Sequence, residues 1–396
     1  MIISNRRLEG LPAYAVAAMA ERKKELLAAG VDVIDLGAGD PDIPPPEIAV
    51  RALHEAACDP RSSRYAFQTG STALRESIAH YMSRRFNVAV DTHAEILPLI
   101  GSKEGLAHLA FAVLDPGDVC VIPQPGYPAY LGGTVLAGGD PAIVPLRAEN
   151  GFLVELGDLP NERLERVRLV FLNYPNNPTG AVAPIDYLER TVEVCRRHRI
   201  VLAFDNPYVE MTFDGYRAPS VLELDGARDV AIEFHSFSKT FCMTGWRLGW
   251  AVGNSAVLKA LSKVKTYVDT GAFLAVQEAG AAVLDQSEML AAELQQKMKE
   301  RRDALISALA NAGCNAAVPR AGMYLWIPLP HGVESGRFAR DLLEEEGLVV
   351  LAGSGFGKAG EGYVRLSFTV GPERLREAAT RFGRVLNRAV REAACR

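Results

Sequence analysis

The sequence predicts an α/β fold: a mostly parallel, seven-stranded sheet between layers of helix, with a smaller α+β domain after it. Three observations carry this expectation. Between about residues 71 and 285, seven short apolar runs alternate with helical patterns, as expected for parallel strands buried on both faces and joined through helices. After a charged amphipathic stretch at 288–309 the pattern changes to strand, helix, strand, strand and helix. Finally, 396 residues exceed what one hydrophobic core usually organises, so more than one unit is expected.

In chain order, residues 13–29 carry apolar side chains at helical spacing and end at Gly30, a residue suited to a helix C-terminus. An apolar strand is expected at 31–36. Residues 37–46 hold too much Pro and Gly for a regular element, and a helical pattern resumes near Glu47. The seven apolar runs fall at 96–100, 119–122, 142–146, 169–172, 200–204, 230–234 and 250–252. Beyond the long helix, strands are expected at 323–328, 348–351 and 363–368, with helices at 335–346 and at the end of the chain. The expected division is an N-terminal arm with part of the small domain at 1–45, a large domain at 46–285 and a C-terminal small domain at 286–396. No internal repeat or low-complexity tract interrupts it.

Composition narrows the function classes. A hydrophobic content of 48% with 23% charged residues is ordinary for a globular chain and excludes collagen-like, disordered and disulfide-scaffold proteins. The 43 basic and 48 acidic residues leave a net charge of -5 without a basic stripe, so no nucleic-acid partner is expected. No apolar run approaches the roughly 18 to 20 residues of a membrane span, and the N-terminus lacks an apolar secretory segment. A cytoplasmic location with no membrane association is therefore the expectation. The six cysteines, at 58, 120, 195, 242, 314 and 395, are scattered and read as reduced thiols rather than a metal or disulfide framework.

Several motifs fail on inspection. The segment 353–358 has three residues rather than four before its Gly-Lys pair and no Ser or Thr after it, so it is not a phosphate loop of the Walker type. Gly37 and Gly39 lack the third glycine of a dinucleotide fingerprint, and neither a nucleophile elbow nor a His-Glu-x-x-His zinc motif occurs.

In open α/β sheets, ligands bind beyond the carboxyl ends of the strands. Those ends are chemically dense here: Gly101-Ser102-Lys103, Pro125-Gly126-Tyr127, Asn173 to Gly180, Asp205 to Tyr208, and His235 to Lys239. Lys239 follows directly on an apolar strand, with Phe237, Phe241, Met243 and Trp246 nearby and Arg247 eight positions later. A single Lys or Arg in a loop is most often a solvated cation. An apolar setting for Lys239 would disfavour its charged form and make the amine nucleophilic, as imine formation requires.

The segment 236–249 resembles the lysine motif of the class I aminotransferases, enzymes of the aspartate-aminotransferase fold (fold type I) that use pyridoxal 5'-phosphate. The likeness covers almost the whole chain, running in order through Tyr65, Ser102-Lys103, Tyr127, Asn176 to Gly180, Asp205, Tyr208, Ser236, Ser238-Lys239, Arg247 and Arg365. It implies that Lys239 forms the imine with the cofactor and then moves a proton between substrate and cofactor as acid and base. It further implies that Asp205 faces the pyridine nitrogen and keeps it protonated. Asn177 and Tyr208 would donate to the phenolate oxygen, and Tyr127 would lie flat on the ring. Ser102 and Lys103 at a helix N-terminus, with Ser236, Ser238 and Arg247, would hold the phosphate. Arg365 would pair with the substrate α-carboxylate, with Gly39 and Asn177 beside it. Tyr65 would reach the cofactor phosphate of a neighbouring subunit, implying a homodimer with shared active sites.

Within the class the chain is most similar to the bacterial LL-diaminopimelate aminotransferases, on segments 99–109, 171–182 and 233–247. That resemblance implies transfer between glutamate and tetrahydrodipicolinate in lysine biosynthesis, with Tyr14 as a substrate contact. Ala13 and the residues after Tyr14 depart from that family's aromatic-rich form. Lys103 stands where some relatives carry a small hydroxyl residue, and its side chain is either solvated or in contact with substrate. Alanine, aspartate and aromatic amino acids remain alternative substrates, because discrimination in a shared pocket turns on about 1 to 3 kcal/mol. A cofactor-dependent β-lyase or decarboxylase remains the alternative reaction, since the protein chooses which bond breaks.

Overall fold

The computed structural model describes residues 5–12, 15–67 and 69–394. Strand β1 (Ile34–Asp35) precedes a large sheet of β2 (Ile96–Leu99), β3 (Val119–Gln124), β4 (Asp140–Pro145), β5 (Val167–Asn173), β6 (Val201–Asp205), β7 (Ala231–Ser236) and β8 (Gly249–Gly253). Its strand order is β2-β8-β7-β6-β5-β3-β4. Only β8 runs antiparallel to its neighbours. The seven apolar runs thus form one mostly parallel sheet of the expected kind.

The two-residue period of the strands sorts side chains to opposite faces of this sheet. Val170, Leu172, Leu202 and Phe204 enter one apolar cluster with Leu74, Ile78 and Tyr81 from the helix Thr72–Phe86. Leu169, Phe171 and Ala203 enter another with Leu106 and Leu109 from the helix Ser102–Val113. Burial on both faces explains the nearly continuous apolar runs, and it leaves the strand ends as the places where polar side chains can gather.

The remainder forms a second core. Strands β9 (Tyr324–Pro328), β10 (Leu348–Val349), β11 (Leu351–Ala352) and β12 (Tyr363–Ser367) follow the 25-residue helix Ser287–Asn311. An antiparallel sheet of order β11-β12-β9 is covered by the helices Ser335–Glu346 and Pro372–Ala394. The single strand expected at 348–351 breaks at Val350, because β10 pairs with β1 while β11 pairs with β12. Ile34 and Leu36 join this core from the beginning of the chain. We propose domain limits of 1–45 and 286–396 around this second core and 46–285 around the large sheet. Tyr208, Met211 and Phe213 of the large region also pack into the second core.

A buried ion cluster secures the helix Ser102–Val113. The Lys265 ammonium, fully buried, lies 3.0 Å from both Glu104 Oε2 and Asp269 Oδ1. Glu104 Oε2 also accepts the Ile100 N–H at 3.1 Å. Charges buried this deeply persist because each is paired and hydrogen-bonded. Among the described residues no helix is long and apolar enough to cross a membrane.

Candidate active site

The carboxyl ends of β2, β3, β5, β6 and β7 open into a cavity of about 570 Å³, closed from the other side by residues 37–40, Tyr324, Leu351, Phe356 and Arg365. Its floor is Asp205, the last residue of β6 and 3% exposed. Asp205 Oδ2 accepts the Tyr130 hydroxyl at 2.6 Å, whereas Oδ1 is buried and has no hydrogen-bond partner among the described residues. Burial pushes this carboxyl from its ordinary 3.8 up to about 7, against the opposing pull of the Tyr130 hydrogen bond. An orphaned carboxylate oxygen at a cavity floor is complementary to a cationic N–H.

Asn173, at the end of β5, braces this floor. Its Nδ2 donates to the Asp205 backbone oxygen at 2.7 Å, and its Oδ1 accepts the Asn177 N–H at 2.7 Å. Asn177 Oδ1 in turn accepts Arg365 Nη1 at 2.8 Å, which leaves the Asn177 Nδ2 as the amide's donor group. Arg365 Nη2 donates to the Gly37 backbone oxygen, while Arg365 Nε is buried without a partner. The Arg365 guanidinium lies over the Tyr324 ring, 4.1 Å from its centroid, and 4.9 Å from that of Phe356. Arg365 is buried, and so are its strand neighbours Val364 and Leu366.

Lys239 sits in the short helix Phe237–Thr240 at the end of β7, and its Nζ donates to the Gly39 backbone oxygen. The aromatic surroundings expected for it are not found. Phe237, Phe241 and Met243 point into the core of the large region, and Trp246 packs against that core without lining the cavity. A helical turn sends neighbouring side chains to different faces, so residues near Lys239 in sequence are not near its amine. The lysine enters the cavity instead, whose aromatic lining comes from Tyr127, Tyr208, Tyr324 and Phe356, residues distant in sequence. Gly39 admits no side chain, because a Cβ there would lie 2.2 Å from the Tyr324 hydroxyl oxygen.

A second group of donors surrounds the N-terminus of the helix Ser102–Val113. No side chain caps that helix, and Gly101 precedes it at φ 76°. A Cβ on Gly101 would lie 2.3 Å from Arg247 Nη2, so only glycine lets the guanidinium approach the helix end. Arg247 Nη1 donates to the Thr244 backbone oxygen at 2.8 Å. Ser236 Oγ accepts the Ser238 N–H at 3.1 Å, and both serines line the cavity. A helix N-terminus, two hydroxyls and a planar cation in one pocket match the donor set for a phosphate dianion.

Tyr127 also lines the cavity, its ring edge-on to that of Tyr130 at 5.7 Å, with Lys103 Nζ 6.0 Å above its centroid. The structure therefore brings together Gly39, Ser102, Lys103, Tyr127, Asn177, Asp205, Tyr208, Ser236, Ser238, Lys239, Arg247 and Arg365 around one cavity. Tyr65 is not among its lining residues and is 73% exposed. Tyr14 lies outside the described residues. Tyr130 and Tyr324 were not legible as site residues in the sequence, and Asn173 stood out only as part of the polar segment 173–180. A hydroxyl-bearing residue in an otherwise apolar strand at Tyr324 was the available signal.

The family description "Aminotransferase class I and II" matches residues 31–382. The chain belongs to the class I and II aminotransferases. It is 47% identical over 379 residues to an LL-diaminopimelate aminotransferase of Syntrophobacter fumaroxidans, covering 96% of this chain and 98% of that one. To the enzyme of the same name from Moorella thermoacetica it is 44% identical over 383 residues, covering 97% and 98%. The substrate-bound BacF structure from Bacillus subtilis superposes with a TM-score of 0.94 at 34% identity, covering 97% and 98%. This aminotransferase is pyridoxal-phosphate dependent, and the unpartnered Asp205 oxygen, the glycine-lined donor pocket and the neighbouring lysine fit that group.

The Asp205 environment has a measurable consequence in the cofactor-free protein. A carboxyl raised from 3.8 to about 7 binds protons more tightly folded than unfolded, so its contribution to stability falls as pH rises through that window and stays low above it. Asp205→Asn removes this penalty, which is on the order of a few kcal/mol at most. The melting temperature of the variant minus that of the wild type should therefore increase between about pH 5 and pH 8. A constant difference would contradict the burial account.

Proposed function

We propose that this aminotransferase moves an amino group between LL-2,6-diaminopimelate and 2-oxoglutarate, giving tetrahydrodipicolinate and glutamate. Support comes from the relatives of that name at 44% and 47% identity over nearly the whole chain. Beyond the cofactor set the cavity also carries the carboxylate of Asp40, which suits a substrate with a second ammonium group. The observation that carries the reaction class is the meeting of Asp205, Lys239 and Arg365 in one cavity.

The residues divide the work as follows in this proposal. The chemistry supplied by bound pyridoxal phosphate is electron withdrawal from the substrate α-carbon. Asp205, ionised opposite a cation, holds a proton on the pyridine nitrogen and so maintains that withdrawal. Arg365, already aligned by Asn177 and Gly37, grips the α-carboxylate and fixes which substituent faces Lys239. Lys239 Nζ would hold the cofactor at rest and, once freed by substrate, would serve as the base that takes the substrate α-proton and the acid that returns it. Tyr208 and Asn177 Nδ2 would donate to the phenolate oxygen. Ser102, Lys103, Ser236, Ser238 and Arg247 would anchor the phosphate, and Tyr127 would pack against the ring. A carboxylate gripped by Arg365 disfavours decarboxylation, and the relatives named as aminotransferases favour transfer over β-elimination.

We also propose a homodimer. Tyr65 and Phe67 are exposed beside the segment 267–273, where Tyr267 is 86% exposed and Val268 and Phe273 are also exposed. The two segments touch, since a Cβ on Gly271 would lie 2.3 Å from the Phe67 backbone oxygen. Such an aromatic cluster on a soluble enzyme marks an interface, and a second copy covering it would bring Tyr65 to the neighbouring cavity. The five described cysteines are unpaired thiols, in keeping with work in the cytoplasm.

A half-reaction screen tests the substrate. LL-diaminopimelate and glutamate should each convert the bound cofactor to its amino form, with aspartate, alanine and phenylalanine at least about tenfold slower, a difference of 1.4 kcal/mol. Faster conversion by one of those three would overturn the proposed substrate, and release of ammonia or carbon dioxide would overturn transfer. For the dimer, mixing inactive Lys239→Ala with Tyr65→Ala subunits should give hybrids that differ in activity from either parent; a sedimenting monomer would refute sharing.

A further inference from the structure

Tyr324 occupies an unusual position. It begins β9, in the second core, yet it reaches the cavity floor from across the domain boundary. It is 2% exposed, and its hydroxyl oxygen is 3.2 Å from that of Tyr208. The two rings meet edge to face, 5.7 Å apart at 81°. The same ring carries the Arg365 guanidinium on its face, and the same hydroxyl sets the space that only glycine can leave at position 39. One side chain thus touches the groups proposed for the phenolate, for the α-carboxylate and for the loop that receives Lys239.

Either hydroxyl of the pair can donate to the other. The charged groups facing the pair are Arg365, Lys239 and Asp205. Burial drives the Tyr208 phenol well above its usual value. Burial acts on Tyr324 in the same sense, but the positive charges of Arg365 and Lys239 outweigh it and bring that phenol below its usual value. A phenolate oxygen held in the cavity would draw the Tyr208 proton toward itself and leave Tyr208 to accept from Tyr324 across 3.2 Å. Tyr208 then has its own proton available to aim into the cavity, and as an acceptor it becomes a stronger donor through polarisation.

We propose that Tyr324 is a positioning residue: its hydroxyl, held by the small domain, orients the Tyr208 hydroxyl as a donor toward the cofactor. This rests on the role given above to Tyr208. It also makes the donation depend on the two domains being in contact, since β9 and the segment after β6 supply one hydroxyl each.

Tyr324→Phe keeps the ring, and with it the seat for Arg365, while removing only the hydroxyl. Two measurements are made on wild type, Tyr324→Phe, Tyr208→Phe and the double variant. One is the pH midpoint of the bound cofactor's visible absorption change; the other is the dissociation constant for pyridoxal phosphate added to the cofactor-free protein. Weakened donation to the phenolate should raise the midpoint in Tyr324→Phe by about half to one pH unit, a three- to tenfold change in proton affinity. Cofactor binding should weaken about threefold or more, as for loss of one hydrogen bond. In the double variant, neither quantity should move beyond its value in Tyr208→Phe. A wild-type midpoint in Tyr324→Phe, or additive shifts in the double variant, would overturn the proposal. If Tyr208→Phe itself left the midpoint unchanged, the role of Tyr208 would fall first and that of Tyr324 with it.

Discussion

A carboxylate buried at the end of a central strand is the constraint around which the rest of this molecule is arranged. Among the described residues Asp205 has one side-chain donor, Tyr130, so its other oxygen is left unmet at the cavity. A free-standing charge there is unfavourable by several kcal/mol on the usual scale for burying ions. The fold tolerates it because the cavity is where a cation is to be received. Asn173 on the neighbouring strand fixes the backbone of Asp205 and the turn bearing Asn177, so the same bracing serves the carboxylate and the donors beside it.

The cavity is also a boundary between two cores. The large sheet contributes Asp205, Lys239, Asn177 and the phosphate-binding pocket, and the small domain contributes Arg365 and Tyr324. Arg365 bonds to Asn177 on one side and to Gly37 on the other, so the group proposed to bind substrate is itself a tie between the parts. Substrate binding and the packing of the domains therefore draw on the same few contacts, and a carboxylate that competes for Arg365 acts on both.

Much of this was legible in the sequence for a simple reason: in a doubly covered parallel sheet, strand interiors must be apolar and strand ends need not be. The polar groups after 100, 124, 172, 204 and 235 stood out against that background, and each of the five segments supplies at least one residue to the same cavity. What could not be read were pairings between distant positions. Tyr130 meets Asp205 across 75 residues and Tyr324 meets Tyr208 across 116, and neither side chain belongs to a local pattern. The aromatic residues around Lys239 misled because adjacency along a helical turn is not adjacency in space. The break at Val350 was invisible because an apolar tetrapeptide does not reveal that its halves serve different sheets.

The ring-nitrogen protonation state is the most direct test of the central claim. Enzyme reconstituted with pyridoxal phosphate labelled with 15N in the ring can be examined by NMR at about pH 8, well above the intrinsic range of carboxyl groups. The account predicts a protonated nitrogen in the wild type and an unprotonated one in Asp205→Ala. An unprotonated nitrogen in the wild type, or a protonated one that persists without Asp205, would contradict it.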